Sequence, residues 1–151
     1  MRQRMDYEAV IPAGVKALDD VYNYVLRSGL PKTLLDLVYL RVSQINGCAY
    51  VDLHSRDLLK AGVMVEKLAL LPNWRESPAS FDESERAGLA WAEAVTRVAE
   101  TGVPDADYDD AAAVFDQKEL AHLTIAIGLI NVYNRMAISF RATGCGQVAP
   151  R

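Results

Sequence analysis

The chain has 151 residues, about half of them hydrophobic, which is enough for a single domain (residues 1–151) with a sizeable core. Its net charge is -4 at pH 7, which argues against the electropositive surface that nucleic-acid binding requires. The basic N-terminus lacks the apolar run of a signal peptide, and no apolar stretch reaches the ~20 residues of a membrane span. With two distant cysteines, we expect a soluble protein of the reducing cytoplasm, with neither nucleic-acid nor membrane partners.

Apolar residues recur at helical spacing along most of the chain, without the alternation of a strand, so the sequence predicts an all-α fold. The predicted helices cover, in chain order, about residues 15–27, 32–45, 48–62, 65–70, 81–100, 105–115 and 117–142. Glycine and proline end the first of them, and Asn46–Gly47 ends the second. Ser80 with Glu83 predicts a capping box for the fifth. The last helix is apolar over most of its circumference, which places it inside a bundle or in a subunit interface.

Cys48 follows the Asn46–Gly47 break directly, where a new helix is predicted to begin. Backbone N–H groups and the helix dipole stabilise a thiolate at such a position, so Cys48 is a candidate reactive thiol. The alternative is a small buried thiol that packs like a hydrophobic residue. His54, six positions later, is a candidate base or proton relay, because imidazole titrates near neutral pH. The alternative is a histidine hydrogen-bonded at the helix surface.

Other polar residues have two interpretations each. Asp36, on the preceding helix, is either a carboxylate that orients the imidazole or an exposed helix residue. Glu85 and Arg86 form either a buried polar contact near the site or an exposed pair. Trp74 and Arg75 are expected to anchor their loop or a neighbouring subunit.

Three polar residues interrupt the apolar last helix and are expected to be structural: Asn131, Asn134 and Arg135. The two histidines, His54 and His122, have no clustered partners in the sequence, so we expect no metal site. There is no phosphate-binding glycine loop either, and no cofactor is expected.

Five segments, in order and at plausible spacing, resemble the alkylhydroperoxidase D-like branch of the carboxymuconolactone decarboxylase superfamily. They are LVYLRVSQINGCAY, HSRDLLKAG, NWRES, ERAGLAWAEAVT and INVYNRMAISFR, which together span about residues 34–141. The resemblance implies an all-α helical bundle that assembles as a homotrimer or hexamer. It also implies reduction of hydroperoxides through a C-x-x-C cysteine pair, with a dithiol or a thiol protein as the reductant.

The signature of this branch is a glutamate twelve positions before the first cysteine, followed by C-x-x-C-x-x-x-H. Cys48 matches the first cysteine, and Asp36 occupies the position of the glutamate as a shorter carboxylate. His54 matches the histidine. The resemblance therefore makes Cys48, His54 and Asp36 the candidate catalytic residues.

The second cysteine of the signature is absent, and Cys145 lies almost a hundred residues from Cys48. The motif is also one residue short, since six positions rather than seven separate Cys48 from His54. At about 100° per helical residue, seven steps bring two side chains within about 20° of each other, whereas six leave them about 120° apart. Either a residue was deleted naturally or it was omitted from the sequence. In the second case, a cysteine or a modified cysteine is expected between Tyr50 and Val51.

Three functions follow from these observations. The first is a thiol-dependent hydroperoxide reductase or disulfide-exchange enzyme that uses Cys48, His54 and Asp36 together with a second cysteine. The second is a catalytically silent oligomeric relative, or one that binds a small apolar molecule at the site of Cys48. This alternative requires no second cysteine. The third is the decarboxylase branch, which uses no cysteine pair. The segment SQINGCAY resembles the redox branch more closely and so disfavours this function. We favour the first.

Overall fold

Helices make up the regular secondary structure of the computed structural model, which describes residues 2–49 and 51–142. The helices are α1 (Tyr7–Val10), α2 (Pro12–Leu26), α3 (Lys32–Asn46), α4 (Val51–Lys60), α5 (Val65–Leu70), α6 (Glu83–Thr96), α7 (Val98–Thr101), α8 (Asp105–Ala112) and α9 (Gln117–Phe140). Two 3-10 segments, Leu71–Glu76 and Pro78–Ser80, connect α5 to α6. No strand occurs within these residues, and the predicted all-α fold is confirmed.

Local sequence signals set the ends of the central helices. Gly47 adopts a left-handed φ of 64° after α3, and the Cys48 N–H donates to the Ser43 carbonyl at 2.9 Å. This is a Schellman ending, which satisfies a carbonyl of the last turn. Capping boxes begin α6, with Asp82 and Glu85, and α9, with Asp116 and Glu119. The predicted capping box at Ser80 and Glu83 was therefore wrong by two residues.

The helices differ most from the prediction in three places. The short α1 was not predicted, and the predicted helix 81–100 is divided at Arg97 into α6 and α7. The Thr101 hydroxyl donates a hydrogen bond to the Ala94 carbonyl at 2.8 Å. In a continuous helix, this carbonyl would accept from the backbone N–H four residues later. Helix α4 begins at Val51 rather than at Cys48, because the Cys48 N–H still closes α3.

The core is arranged around α3, which packs against α4, α6 and α9 and has nine buried residues. One hydrophobic cluster joins α2, α3, α6, α8 and α9, and includes Val25, Leu35, Val38, Tyr39, Trp91, Leu123 and Ile127. A second cluster lies beneath α4 and the 3-10 segments, and includes Leu37, Leu40, Leu58, Leu71, Phe81 and Leu89. Gly88 permits the close approach of α6 to α3, since a Cβ there would lie 2.9 Å from Leu34 Cδ1. The site described below is built on α3 and on its connection to α4.

Helix α9 alone, among the described residues, is long and apolar enough to cross a bilayer by length and composition. The core helix of a soluble protein meets the same test. Ten of its residues are buried, and it packs against α2, α3, α6 and α8. Its apolar character is thus explained by packing within the bundle, although Ile125, Val132 and Ile138 remain exposed.

Candidate active site

Cys48 lies in the turn between α3 and α4 and is almost completely buried. It packs against Ala137, near the C-terminal end of α9, and against Ala142. Its N–H belongs to the ending of α3, and its carbonyl accepts from the Val51 N–H at 3.3 Å. Cys48 therefore precedes the first turn of α4, and the expectation that it sits at the helix N-terminus was wrong by three residues.

His54 lies in the first half of α4 with only 8% of its surface exposed. Its ring packs against the ring of Tyr39 on α3, with centroids 5.5 Å apart and an angle of 47° between the planes. Burial lowers the pKa of His54 to about 4, while the charge of Asp57 raises it and that of Lys32 lowers it further. The imidazole is therefore uncharged at neutral pH, and the same shift makes it a weaker base than an exposed histidine. This burial excludes a histidine at the helix surface, and the role of His54 as a base or proton relay stays a prediction.

Asp36 is buried on α3, which excludes its interpretation as an exposed helix residue. Its Oδ2 accepts a hydrogen bond from Lys32 Nζ at 2.5 Å, one turn earlier on the same helix. Burial raises the pKa of Asp36, and the bond from Lys32 opposes this rise without cancelling it. The role of Asp36 in orienting His54 stays a prediction.

Asn131 and Asn134 connect α9 to the helices around it. Asn131 Oδ1 accepts from Asn46 Nδ2 at 3.0 Å, and Asn131 Nδ2 donates to Thr96 Oγ1 at 3.1 Å, so this side chain joins α3, α6 and α9. Asn134 is completely buried and accepts from the Ser43 hydroxyl at 3.2 Å. The Ser43 backbone carbonyl also accepts from the Cys48 N–H. These bonds therefore fix the end of α3 next to the thiol.

A buried carboxylate that the sequence analysis missed lies at Glu93 on α6. Glu93 Oε1 accepts from Arg41 Nε at 2.7 Å and from Trp74 Nε1 at 3.0 Å, and Oε2 accepts from Arg75 Nη1. Burial alone would raise the pKa of Glu93, but the three hydrogen bonds outweigh it, so the pKa is lowered. The available signal was a single charged residue within the apolar stretch GLAWAEAV, since such a residue normally has a buried partner.

Glu85 and Arg86 do not pair with each other, although the sequence analysis predicted a pair, either buried or exposed. Both oxygens of Glu85 accept from Lys67 Nζ at 2.7 Å, and Glu85 also completes the capping box of α6. Arg86 Nη1 donates to the carbonyls of Phe81 and Pro78. The two residues therefore hold the 3-10 connection to α6 instead of pairing with each other.

Trp74 anchors its loop as predicted, through the bond from its indole to Glu93. Arg75 lies over the Trp74 ring, 4.3 Å from the centroid. A contact of either residue with a neighbouring subunit stays a prediction. No group of three or more His, Cys, Asp and Glu side chains in the described ranges, 2–49 and 51–142, is arranged to hold a metal ion.

Two earlier predictions fall outside the described residues. Tyr50 and Cys145 both lie there, so the geometry of the Tyr50–Val51 junction and any role of Cys145 stay predictions.

If a residue was omitted from the sequence, the purified protein is expected to be heavier than the sequence predicts by one cysteine or modified cysteine. Intact mass spectrometry, followed by sequencing of the peptide that spans Cys48 and His54, is the measurement. An intact mass equal to that of the 151-residue sequence would show that the motif is truly one residue short.

The buried His54 is expected to make folding stability depend on pH. Its folded pKa of about 4 lies below the ordinary value of 6.5, so the unfolded chain binds more protons between these values. The contribution of neutral His54 to the free energy of unfolding is therefore fully present above pH 6.5. It decreases by about 3 kcal/mol as the pH falls towards 4. Urea unfolding at several pH values should show a flatter dependence for His54→Gln than for the wild type. Equal slopes in the two proteins would contradict this assignment.

The chain is similar to proteins of one family over most of its length. A sequence profile of the carboxymuconolactone decarboxylase family matches residues 12–94. YdfG of Bacillus subtilis is 32% identical over 140 residues, which cover 92% of this chain and 95% of the relative. YnjA of Escherichia coli is 36% identical over 110 residues, which cover 72% of this chain and 59% of the relative.

Two solved structures share the fold. A protein of unknown function from Agrobacterium tumefaciens, described as a candidate antioxidant defence protein AhpD, is 40% identical with a TM-score of 0.88. The match covers 99% of this chain and all of that protein. A peroxidase-related protein from Silicibacter is 23% identical with a TM-score of 0.74, over 85% of this chain and 68% of its own, and this likeness concerns the fold.

The fold thus defines an all-α protein of the AhpD-like class. The chain belongs to the carboxymuconolactone decarboxylase family.

Proposed function

We propose that the protein is a thiol-dependent hydroperoxide reductase of the AhpD type, with Cys48 as its redox thiol. His54 accepts and returns the proton, and Asp36 orients the imidazole. The observation that carries the proposal is the fixed position of Cys48 at the end of α3, immediately before the helix whose buried histidine is neutral at pH 7. The antioxidant-defence description of the Agrobacterium protein supports the same class of reaction.

The reaction with Cys48 alone begins with transfer of the thiol proton to neutral His54. The thiolate attacks the terminal oxygen of the hydroperoxide, so that an S–O bond forms and the O–O bond breaks. The alkoxide that leaves takes the proton from His54 and departs as an alcohol, and Cys48 remains as a sulfenic acid. A reductant thiol then displaces water to form a mixed disulfide, and a second thiol releases Cys48 and forms the disulfide of the reductant.

A second cysteine between Tyr50 and Val51 would change the order of these steps. That cysteine would be oxidised by the hydroperoxide, and the Cys48 sulfur would displace water from its sulfenic acid to close a disulfide. A dithiol or a thiol protein would then reduce the disulfide. We place this chemistry in the cytoplasm, where thiols are kept reduced, and in a homotrimer or hexamer.

One observation favours a silent or ligand-binding relative instead. A groove of about 570 Å³ lies between α6, α8 and α9, and not at the Cys48 turn where such a ligand was expected. Its lining is mainly apolar, with Trp91, Tyr108, Leu120 and Ile125. A small apolar molecule would fit such a surface. If that is the function, Cys48 has no role in it.

The test is consumption of a dithiol by the purified protein, measured with and without an organic hydroperoxide. The proposal expects dithiol oxidation in proportion to the hydroperoxide added and formation of the corresponding alcohol. Absence of turnover by protein whose mass shows a complete cysteine pair would overturn it in favour of the silent relative.

A further inference from the structure

The hydroxyl of Tyr39 is one of the buried polar groups that the proposed mechanism does not use. Tyr39 is 2% exposed, and its Oη has no hydrogen-bond partner within residues 2–49 and 51–142. Both ring nitrogens of His122 and Nδ2 of Asn134 are also buried without a hydrogen-bond partner within these residues. Burying a hydroxyl without a partner costs free energy, so each such group in a native core calls for an explanation. A phenylalanine would fill the same space without that cost. The hydroxyl is therefore a candidate for a function that requires it.

Tyr39 lies between two of the candidate catalytic residues. Its ring packs against the His54 ring with centroids 5.5 Å apart. Asp36 precedes Tyr39 by three residues on α3, which places the two side chains on the same face of the helix. Burial raises the pKa of Tyr39, and the charge of Asp36 raises it further, so the phenol keeps its proton.

Asp36 itself is poorly placed to serve the imidazole directly. It is one methylene shorter than the glutamate of the family signature, and Lys32 Nζ holds its Oδ2 at 2.5 Å. The charges that act on His54 include those of Asp57, on its own helix, and of Lys32 on α3. The remaining titratable groups of this cluster are Tyr22 on α2, whose ring lies 6.2 Å from that of Tyr39, and Tyr133 on α9.

We propose that Tyr39 is a positioning residue whose hydroxyl connects Asp36 to His54 while the imidazole carries the Cys48 proton. In that state the Tyr39 oxygen accepts a hydrogen bond from the imidazolium, and its O–H donates to the Asp36 carboxylate. No proton leaves the phenol, and the reaction balance is unchanged. The Asp36 charge thereby stabilises a buried cation that the shorter carboxylate does not reach alone. This role rests on the proposed function.

The test compares the wild type with Tyr39→Phe, which removes only the hydroxyl. We expect kcat/KM for the hydroperoxide to fall by about tenfold, within the range of a lost acid–base contribution. We expect the NMR titration midpoint of His54 to fall by about half a unit or more, because the protonated form loses an acceptor. Folding stability should be equal or higher. Tyr22→Phe, which changes the neighbouring ring, is the matched control and should behave as the wild type.

A rescue variant separates positioning from packing. In Tyr39→Phe, the further change Asp36→Glu restores the longer carboxylate, which then reaches the imidazole directly. We expect it to recover most of the lost kcat/KM and to raise the His54 midpoint. A double variant as slow as Tyr39→Phe would overturn the connection through Asp36.

The two proposals fail differently. If the wild type shows no Cys48-dependent turnover, the proposed function is wrong, and the His54 titration alone decides the role of Tyr39. A midpoint that falls in Tyr39→Phe supports the connection between Tyr39 and the imidazolium. A midpoint that equals that of the wild type overturns it.

Discussion

Replacement of Cys48 by serine is expected to abolish hydroperoxide-dependent oxidation of a dithiol. The hydroxyl of serine is a far weaker nucleophile than a thiolate and forms no disulfide, so neither the attack on the peroxide nor the reduction can occur. Loss of an essential nucleophile lowers kcat by roughly a thousandfold or more. The measurement is dithiol consumption against hydroperoxide concentration. Circular dichroism of both proteins would verify that the buried site still folds.

Cys145→Ser is the matched control, because it removes the chain's other cysteine. We expect its turnover to equal that of the wild type. Unchanged turnover in Cys48→Ser would remove Cys48 from the mechanism. Loss of turnover in Cys145→Ser would instead make the distant cysteine a partner in the redox cycle.

The helices of the bundle were predictable because their signals are local. Apolar spacing gave α3, α5 and α9 almost to the residue, and the glycine after Asn46 correctly ended α3. The break of α6 at Arg97 was not predictable in this way. It depends on a hydrogen bond from the Thr101 side chain to the Ala94 carbonyl, and the sequence pattern of the segment remains helical across it.

The start of α4 shows why a correct motif can be placed wrongly. An Asn-Gly pair predicts a break, but it does not say how many residues the break consumes. The Schellman ending of α3 uses the Cys48 N–H, which delays the next helix until Val51. The thiol is therefore positioned by the end of one helix and by contact with α9, and less by the dipole of the helix that follows.

The polar contacts of the site depended on distant pairing, which one sequence does not reveal. Asp36 and His54 were recognised by their spacing from Cys48, but the bond from Lys32 to Asp36 and the Tyr39 ring beside His54 were not. Glu93 was overlooked because its partners come from α3 and from a loop, 52 and 18 or 19 residues away. Burial and partners of this kind follow only from the packed structure.

Among the substitutions proposed for this protein, removal of the Glu93 carboxylate is expected to give the largest loss of folding stability. In Glu93→Ala, the guanidinium of Arg41, whose side chain is only 13% exposed, is left without its buried counter-charge, and the Trp74 indole loses its acceptor. Breaking a buried ion pair on one side costs about 3–5 kcal/mol. Urea unfolding at pH 7, followed by circular dichroism, is the measurement. Arg75→Ala is the control, because the Arg75 side chain is 58% exposed and solvent limits its contribution to about 1 kcal/mol.

The contribution of Glu93 also has a defined dependence on pH. Because the folded pKa of Glu93 is lowered from its ordinary 4.5, its stabilisation is complete above that value and is lost as the pH falls through the folded pKa. The stability difference between the wild type and Glu93→Ala should therefore be constant from pH 7 to about 5 and should shrink in more acidic solution. A difference at pH 7 no larger than that of Arg75→Ala would contradict the assignment of Glu93 as the buried anchor. The 3-10 segment would then be held to α3 and α6 mainly by its apolar contacts, through Leu71 and the Trp74 ring.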